Sequence, residues 1–336
     1  MVVYLRLVMH IFVMRNGCCA VQEGMVLASI AREDQQRLRF YGYLLALLAH
    51  TIWGSYPVVS KALLRSVPPF TLIAASYAVA LLLSAPVLPR VLDPRALRQR
   101  GILLLLIAVV ARSATNILSI RYTLAIYVQL INLLTPFAVV LLGRMVFGEG
   151  VPRRTYPALL LSTVGSGLVV LGGGAAWRWS VSDSIGVACA LASTLCLALY
   201  MLLTRRVQQM HGQSSYAVLA QQMVALEAMG LAGAWLGGES WGSWLELSAS
   251  TWLLFGVFVI VNVFGGNFVQ IATLRYLPTN VFTSLIGVRL ISALVLAWWL
   301  LDEQFTSMWQ IVGAVTVLGT VTWYLRAQMV AKDVHA

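Results

Sequence analysis

The sequence predicts an all-α integral membrane protein of ten transmembrane helices, folded as two inverted five-helix repeats. Three observations predict it. The 336 residues are 60% hydrophobic and only 10% charged, far from the soluble average. The apolar residues gather into ten stretches close to the roughly 20 residues that cross a bilayer as a helix. The stretch RYTLAIYVQLINLLTPFAVVLLGRMVFGE, Arg121 to Glu149, returns as RYLPTNVFTSLIGVRLISALVLAWWLLDE, Arg275 to Glu303, so that Arg121, Tyr122 and Glu149 fall on Arg275, Tyr276 and Glu303 at an offset of 154.

In order, the first half gives spans at Tyr41 to Leu63, Phe70 to Leu88, Gly101 to Ile120, Leu124 to Phe147 and Tyr156 to Ala175. The second half gives Ser184 to Leu203, Tyr216 to Leu236, Trp252 to Leu274, Thr279 to Leu301 and Met308 to Leu325. These runs are long, continuous and rich in Leu and Ala, whereas a membrane barrel alternates over about ten residues. The domains expected are a first repeat at 41–175, a second at 184–326, an N-terminal cytoplasmic extension at 1–40 and a tail at 327–336. The short apolar stretch between Arg6 and Arg15 is too short to span and lacks a convincing small-residue cleavage site; a poor signal peptide is one reading, and a start at Met14 or Met25 is the favoured one.

Ten spans put both termini on one side, and the basic residues choose the side. With the termini inside, only Lys61, Arg65, Arg121 and Arg178 are left outside. Five spans per half then orient the halves oppositely, as inverted repeats require. A second echo aligns ALLAHTIWGSYPVVSKALL, from Ala46, with ALASTLCLALYMLLTRRVQ, from Ala190, and sets Tyr56 on Tyr200. Internal duplication of spans is how secondary transporters are built.

Several classes are excluded. The net charge of +11 resides mainly in loops, which speaks for membrane orientation rather than nucleic-acid binding. Cys18, Cys19, Cys189 and Cys196 have neither metal-site spacing nor a disulfide frame. There is no HExxH, no GxSxG, no phosphate-binding loop and no aspartate inside a span, so neither an intramembrane enzyme nor direct ATP drive is expected. No cofactor or metal is called for.

The run WGS at Trp53 to Ser55, leading to Pro57 and Lys61, resembles the drug/metabolite transporter superfamily, specifically its ten-helix EamA-type members. So do the LTPF run around Pro136 and the GE of Gly148 and Glu149 with its copy at Asp302 and Glu303. The likeness covers Tyr41 to Leu325. It implies two five-helix bundles around a central cavity, alternating access and export of metabolites, amino acids or drugs. One departure is that Arg289 and Leu290 stand where the first copy has Thr135 and Pro136.

Ionisable groups inside a bilayer cost about 2.5 to 3.5 kcal/mol unless they face protein or water. Arg112, Arg289 and Glu227 are such groups. The arginines suit a carboxylate or phosphate, which matches the guanidinium fork. Glu227 would act as a proton switch, with His50 as a second candidate; alternatively Glu227 pairs structurally with one arginine, and His50 makes an interhelical bond. Helical spacing groups His50, Trp53, Gly54 and Pro57 on one face, Arg112 with Asn116, Gln129 with Asn132 and Pro136, and Asn262 with Gly266 and Gln270. Asn280, Thr283 and Gly287 form the stripe matching Gln129, but Arg289 falls about 180° from Asn280 on a regular helix. Either that helix is distorted near Gly287 or Arg289 faces another helix. The substrate-binding set is thus Trp53, Arg112, Asn116, Gln129, Asn132, Asn262, Gln270, Thr283 and Arg289, although Trp53 and the amides also suit interhelical packing. Glu149 and Glu303 are expected to be orientation or gate charges.

The function expected is a secondary active transporter, multi-pass in the inner cell membrane, exporting an amino acid or organic acid with protons as the coupling ion. Its partners are the small-molecule substrate and lipid, and it is a monomer or homodimer. The alternatives are efflux of hydrophobic cations, or a channel or non-transporting scaffold.

Overall fold

The computed structural model describes residues 20–91, 99–148, 150–151, 153–171, 180–211, 213–277, 279–302 and 307–333. The chain divides into two units, Met1–Gly42 and Tyr43–Ala336. Of the first, residues 20–42 are helical. Everything below concerns the second.

Among the described residues every apolar stretch expected from the sequence lies mostly on helix. In chain order the main elements are α1 (Ala20–Leu63), α2 (Pro69–Ser84), α3 (Leu88–Val91), α4 (Arg100–Tyr122), α5 (Ala125–Asn132) and α6 (Thr135–Phe147). They continue with α7 (Thr155–Leu171), α8 (Val181–His211), α9 (Ser215–Leu236), α10 (Gly242–Leu245) and α11 (Ala249–Val257). A π-helical segment (Phe258–Gly266) follows, then α12 (Asn267–Tyr276), α13 (Thr279–Ser284), α14 (Gly287–Leu301) and α15 (Met308–Asp333). No strand occurs among the described residues. Five of the described helices are long and apolar enough to cross a membrane, or six if the bent pair α5 and α6, at 43°, is one span.

The sequence echo has a local counterpart in the backbone. α4 ends at Tyr122 and α12 at Tyr276, each followed by an extended residue, Thr123 and Leu277. α6 ends at Gly148 and α14 at Asp302, both left-handed, with φ of 71° and 56°. All these pairs are 154 apart. Asp302 has the only positive φ of a non-glycine residue described, so its carboxyl-bearing side chain sits where glycine is the usual helix terminator.

Both copies also break midway. In the first, Leu134 N–H bonds to Ile131 O and Phe137 N–H to Leu134 O, the tight three-residue turn. Pro136 has no N–H for the Asn132 carbonyl, which instead accepts Thr135 Oγ1 at 2.5 Å. In the second, Leu285, Ile286, Val288 and Arg289 donate to Phe282, Thr283, Leu285 and Ile286, three residues back. Each residue of such a turn rotates about 120° rather than 100°, so the tightened stretch adds on the order of 100° before Arg289. The distortion near Gly287 is therefore what turns Arg289 inward.

The core of the described residues falls into two large apolar clusters and a small third one of Ala138, Val139 and Ala198. One contains Leu63, Leu72, Leu105, Tyr200, Met223 and Phe258, from α1, α2, α4, α8, α9 and the π segment. The other contains Tyr127, Phe137, Leu290, Val317 and Tyr324, from α5, α6, α14 and α15. Each cluster draws helices from both halves, and the most extensive contacts are α4 with α8, α7 with α15 and α2 with α9. Helices of the two halves of the sequence thus interleave. Small residues permit it. Gly230 and Gly233 of α9 lie against Ala74 and Phe70 of α2, and Gly165 of α7 lies against Gly313 and Val317 of α15. The α2–α9 pair is closed by Glu239, whose carboxylate accepts the Phe70 and Thr71 N–H groups at 2.9 and 2.8 Å, capping the positive end of α2.

Glu149 and Glu303 lie outside the described residues, so the gate role expected of them has no structural description.

Candidate substrate site

The site lies at the seam between the two clusters. Pro57 in α1 lacks the N–H that would bond to the Trp53 carbonyl. Gln129 of α5 replaces it, its Nε2 donating to Trp53 O at 3.2 Å. Asn132 Nδ2 donates to Gln129 Oε1 at 3.2 Å, and Thr194 Oγ1 of α8 donates to Asn132 Oδ1 at 3.2 Å. This chain of amides fixes α1, α5 and α8 together.

Trp53 itself is the centre. Its Nε1 donates to Gly266 O at 3.1 Å, at the end of the π segment. The Arg112 guanidinium carbon lies 4.5 Å from the centre of its ring and that of Arg289 lies 5.7 Å away. Arg112 also rests 5.6 Å from the Tyr200 ring. A desolvated cation over an indole gains about 2 kcal/mol, which offsets part of the burial cost. The two guanidinium groups, 7% and 2% exposed as residues, still repel each other. Neither has a carboxylate partner among the described residues.

Arg289 is held from behind. Its Nε donates to His50 Nδ1 at 2.8 Å, and Nη2 donates to Gln270 Oε1 at 3.2 Å. His50 Nε2 lies 2.7 Å from Phe282 O. A ring nitrogen that accepts from Arg289 carries no proton, so the hydrogen-bond network assigns His50 as neutral with its proton on Nε2.

The unfilled space here is about 260 Å³, little of it wide enough for water. Trp53, Arg112, Asn116, Gln129, Asn132 and Arg289, expected from the sequence, all line it. Gln270 is reached through Arg289. Asn262 is drawn to α1, its Oδ1 accepting Ser55 Oγ at 2.9 Å. Thr283 is buried on α13 without lining the space. Tyr56, Ser193 and Leu197 line it and were not singled out; the Tyr56–Tyr200 echo was the available signal for the aromatic wall.

Glu227 is not brought to the arginines. It lies half-buried in α9, near the Ala78 backbone of α2, with Oε2 lacking a hydrogen-bond partner. The structural ion pair weighed for it is not formed. The reason is azimuth: the carboxyl faces the α2–α9 contact that Gly230 and Gly233 make close.

The motif WGS now has a physical account. Trp53 draws both arginines to its ring, Ser55 holds Asn262, and Gly54 admits α14. A Cβ at Gly54 would fall on Ser292 Oγ and lie 2.7 Å from Arg289 O.

Among solved structures, 27 chains match this one. One, titled only "Crystal structure of protein", superposes with a TM-score of 0.62 at 17% identity, covering 85% of this chain and 98% of its own. That likeness concerns the fold alone. No curated protein matches the sequence. Residues 40–171 match the EamA-like transporter family, a match that points to a multi-pass membrane transporter, consistent with the drug/metabolite transporter superfamily.

Proposed function

We propose that this chain is a secondary active transporter that exports a small carboxylate-bearing metabolite, of amino-acid or organic-acid type, by alternating access. The reading includes ten spans in two inverted repeats, both termini cytoplasmic, in the inner cell membrane. One observation carries it: two buried arginines approach a single indole in a polar-lined space and have no acidic partner among the described residues. Such a pair is electrostatically incomplete, and an anion completes it. A carboxylate set beside Trp53 would be within reach of guanidinium donors from Arg112 and Arg289.

Coupling to protons follows most directly from His50. An anion that draws Arg289 towards Trp53 lengthens its bond to His50 Nδ1, and the freed nitrogen can then take a proton. Bound anion and bound proton would favour each other, because the anion screens the two charges from one another, so both would leave together, driven by the metabolite's own outward gradient. Glu227, away from the arginines, would act only through the packing of α2 and α9.

The first test is the thermal stability of detergent-purified protein against amino acids, organic acids, phosphorylated metabolites and hydrophobic cations. Stabilisation by a carboxylate compound, lost in Arg112→Ala and in Arg289→Ala, is the expected result. Stabilisation by cations alone would replace this reading with cation efflux. In liposomes carrying that substrate, pH-gradient dependence should be lost in His50→Gln and kept in Glu227→Gln; the reverse pattern would return coupling to Glu227.

A further inference from the structure

A second cavity lies away from the arginine pair, on the outer side of α7 and α15. Arg154, Val315, Gly319, Thr322, Trp323 and Arg326 line it, and about 1140 Å³ of unfilled space opens outward from it. Its α15 residues recur at positions i, i+4, i+7, i+8 and i+11, which is one helix face. Val315 and Trp323 are 65% and 46% exposed. At Gly319 an added Cβ would meet nothing within 4 Å, so the floor of the groove is open.

The chemistry is graded along its length. From Val315 to Arg326 the helix rises about 16 Å, roughly half of the ~30 Å hydrocarbon thickness. The face is apolar at one end. At the other end, Trp323 and Arg326 meet Arg154, which immediately precedes α7. Trp beside Arg at the end of an apolar helix marks the headgroup level. Among the described residues no acidic one lines the groove.

We infer that this groove is a binding site for an acidic phospholipid, one acyl chain lying over Gly319 and the phosphate held between Arg154 and Arg326. The length of one leaflet, the apolar floor and two cations at the headgroup end fit that ligand together. A soluble anion would use the arginines and leave the apolar length empty. A zwitterionic lipid would place a second cation beside them.

Native mass spectrometry of the full chain in detergent tests this, titrated with phosphatidylglycerol, with phosphatidylcholine and with inorganic phosphate. Phosphatidylglycerol should bind in preference to phosphatidylcholine, and Arg154→Gln with Arg326→Gln should weaken it about 30-fold, at the usual gain per basic residue near an acidic surface. Gly319→Trp, which fills the floor and keeps both arginines, should weaken it as well. Unchanged affinity in the double variant would overturn the site. Inorganic phosphate binding as tightly as the lipid, or a Gly319→Trp variant with full affinity, would overturn the lipid assignment. Both arginines are exposed, so the variants should fold.

Discussion

The two copies of the duplicated segment share a backbone plan and differ in chemistry. Each begins after an extended residue, breaks midway and ends on a left-handed residue, Gly148 or Asp302. The first copy breaks at a proline and offers Gln129 and Asn132, whose amides are spent on holding α1 and α8. The second breaks without proline and offers Arg289, which reaches the indole. The joint is shared and the contents differ. Within the repeated segment the first copy supplies frame and the second adds a charge to that of Arg112 on α4.

That contrast can be broken at several points. The largest effect is expected for Arg289→Met, which removes two charge-assisted bonds and should weaken binding of a carboxylate ligand about 100-fold; Gln129→Leu, in the other copy, should lower stability more than affinity. Comparable affinity losses in the two would deny the division between frame and charge. Next, Gly54→Val forces α1 from the second copy at Arg289 O and should destabilise by about 1 to 3 kcal/mol, read as a lowered Tm in detergent. The smallest effects sharpen the comparison at the helix ends. Gly148→Ala should cost about 1 kcal/mol, whereas Asp302→Gly should be neutral or stabilising by less than about 1 kcal/mol, because only the second copy already holds a side chain in the left-handed region. Equal losses at both would mean that Asp302 has a compensating contact.

Much of this was legible in the sequence because hydrophobic length and repetition are linear properties. The ends of α4, α9 and α12 lie within two or three residues of expectation, and Arg112 with Asn116 shares the face that spacing gave them. What depends on rotation between helices was less legible. Arg289 looked misdirected because a regular 3.6-residue turn was assumed, and the tight turns at Ile286 restore its direction. Glu227 has the right depth and the wrong azimuth for an ion pair. The π segment left no trace in the spacing of apolar residues, yet it presents Gly266 O to Trp53. The interleaving of the halves was hidden too, since glycines such as Gly230 and Gly165 announce close contact without naming the partner.

The cap on α2 has a consequence for the order in which the molecule can be completed. The donors are at Phe70 and Thr71 and the acceptor is at Glu239, so the second helix must wait for some 170 residues of further synthesis. At about 5 to 20 residues per second that interval is roughly 10 to 30 s. During it the start of α2 has only water or lipid headgroups to satisfy its leading amides. Emergence of Glu239 is therefore a timed step, after which the early and late parts of the chain lock at one end.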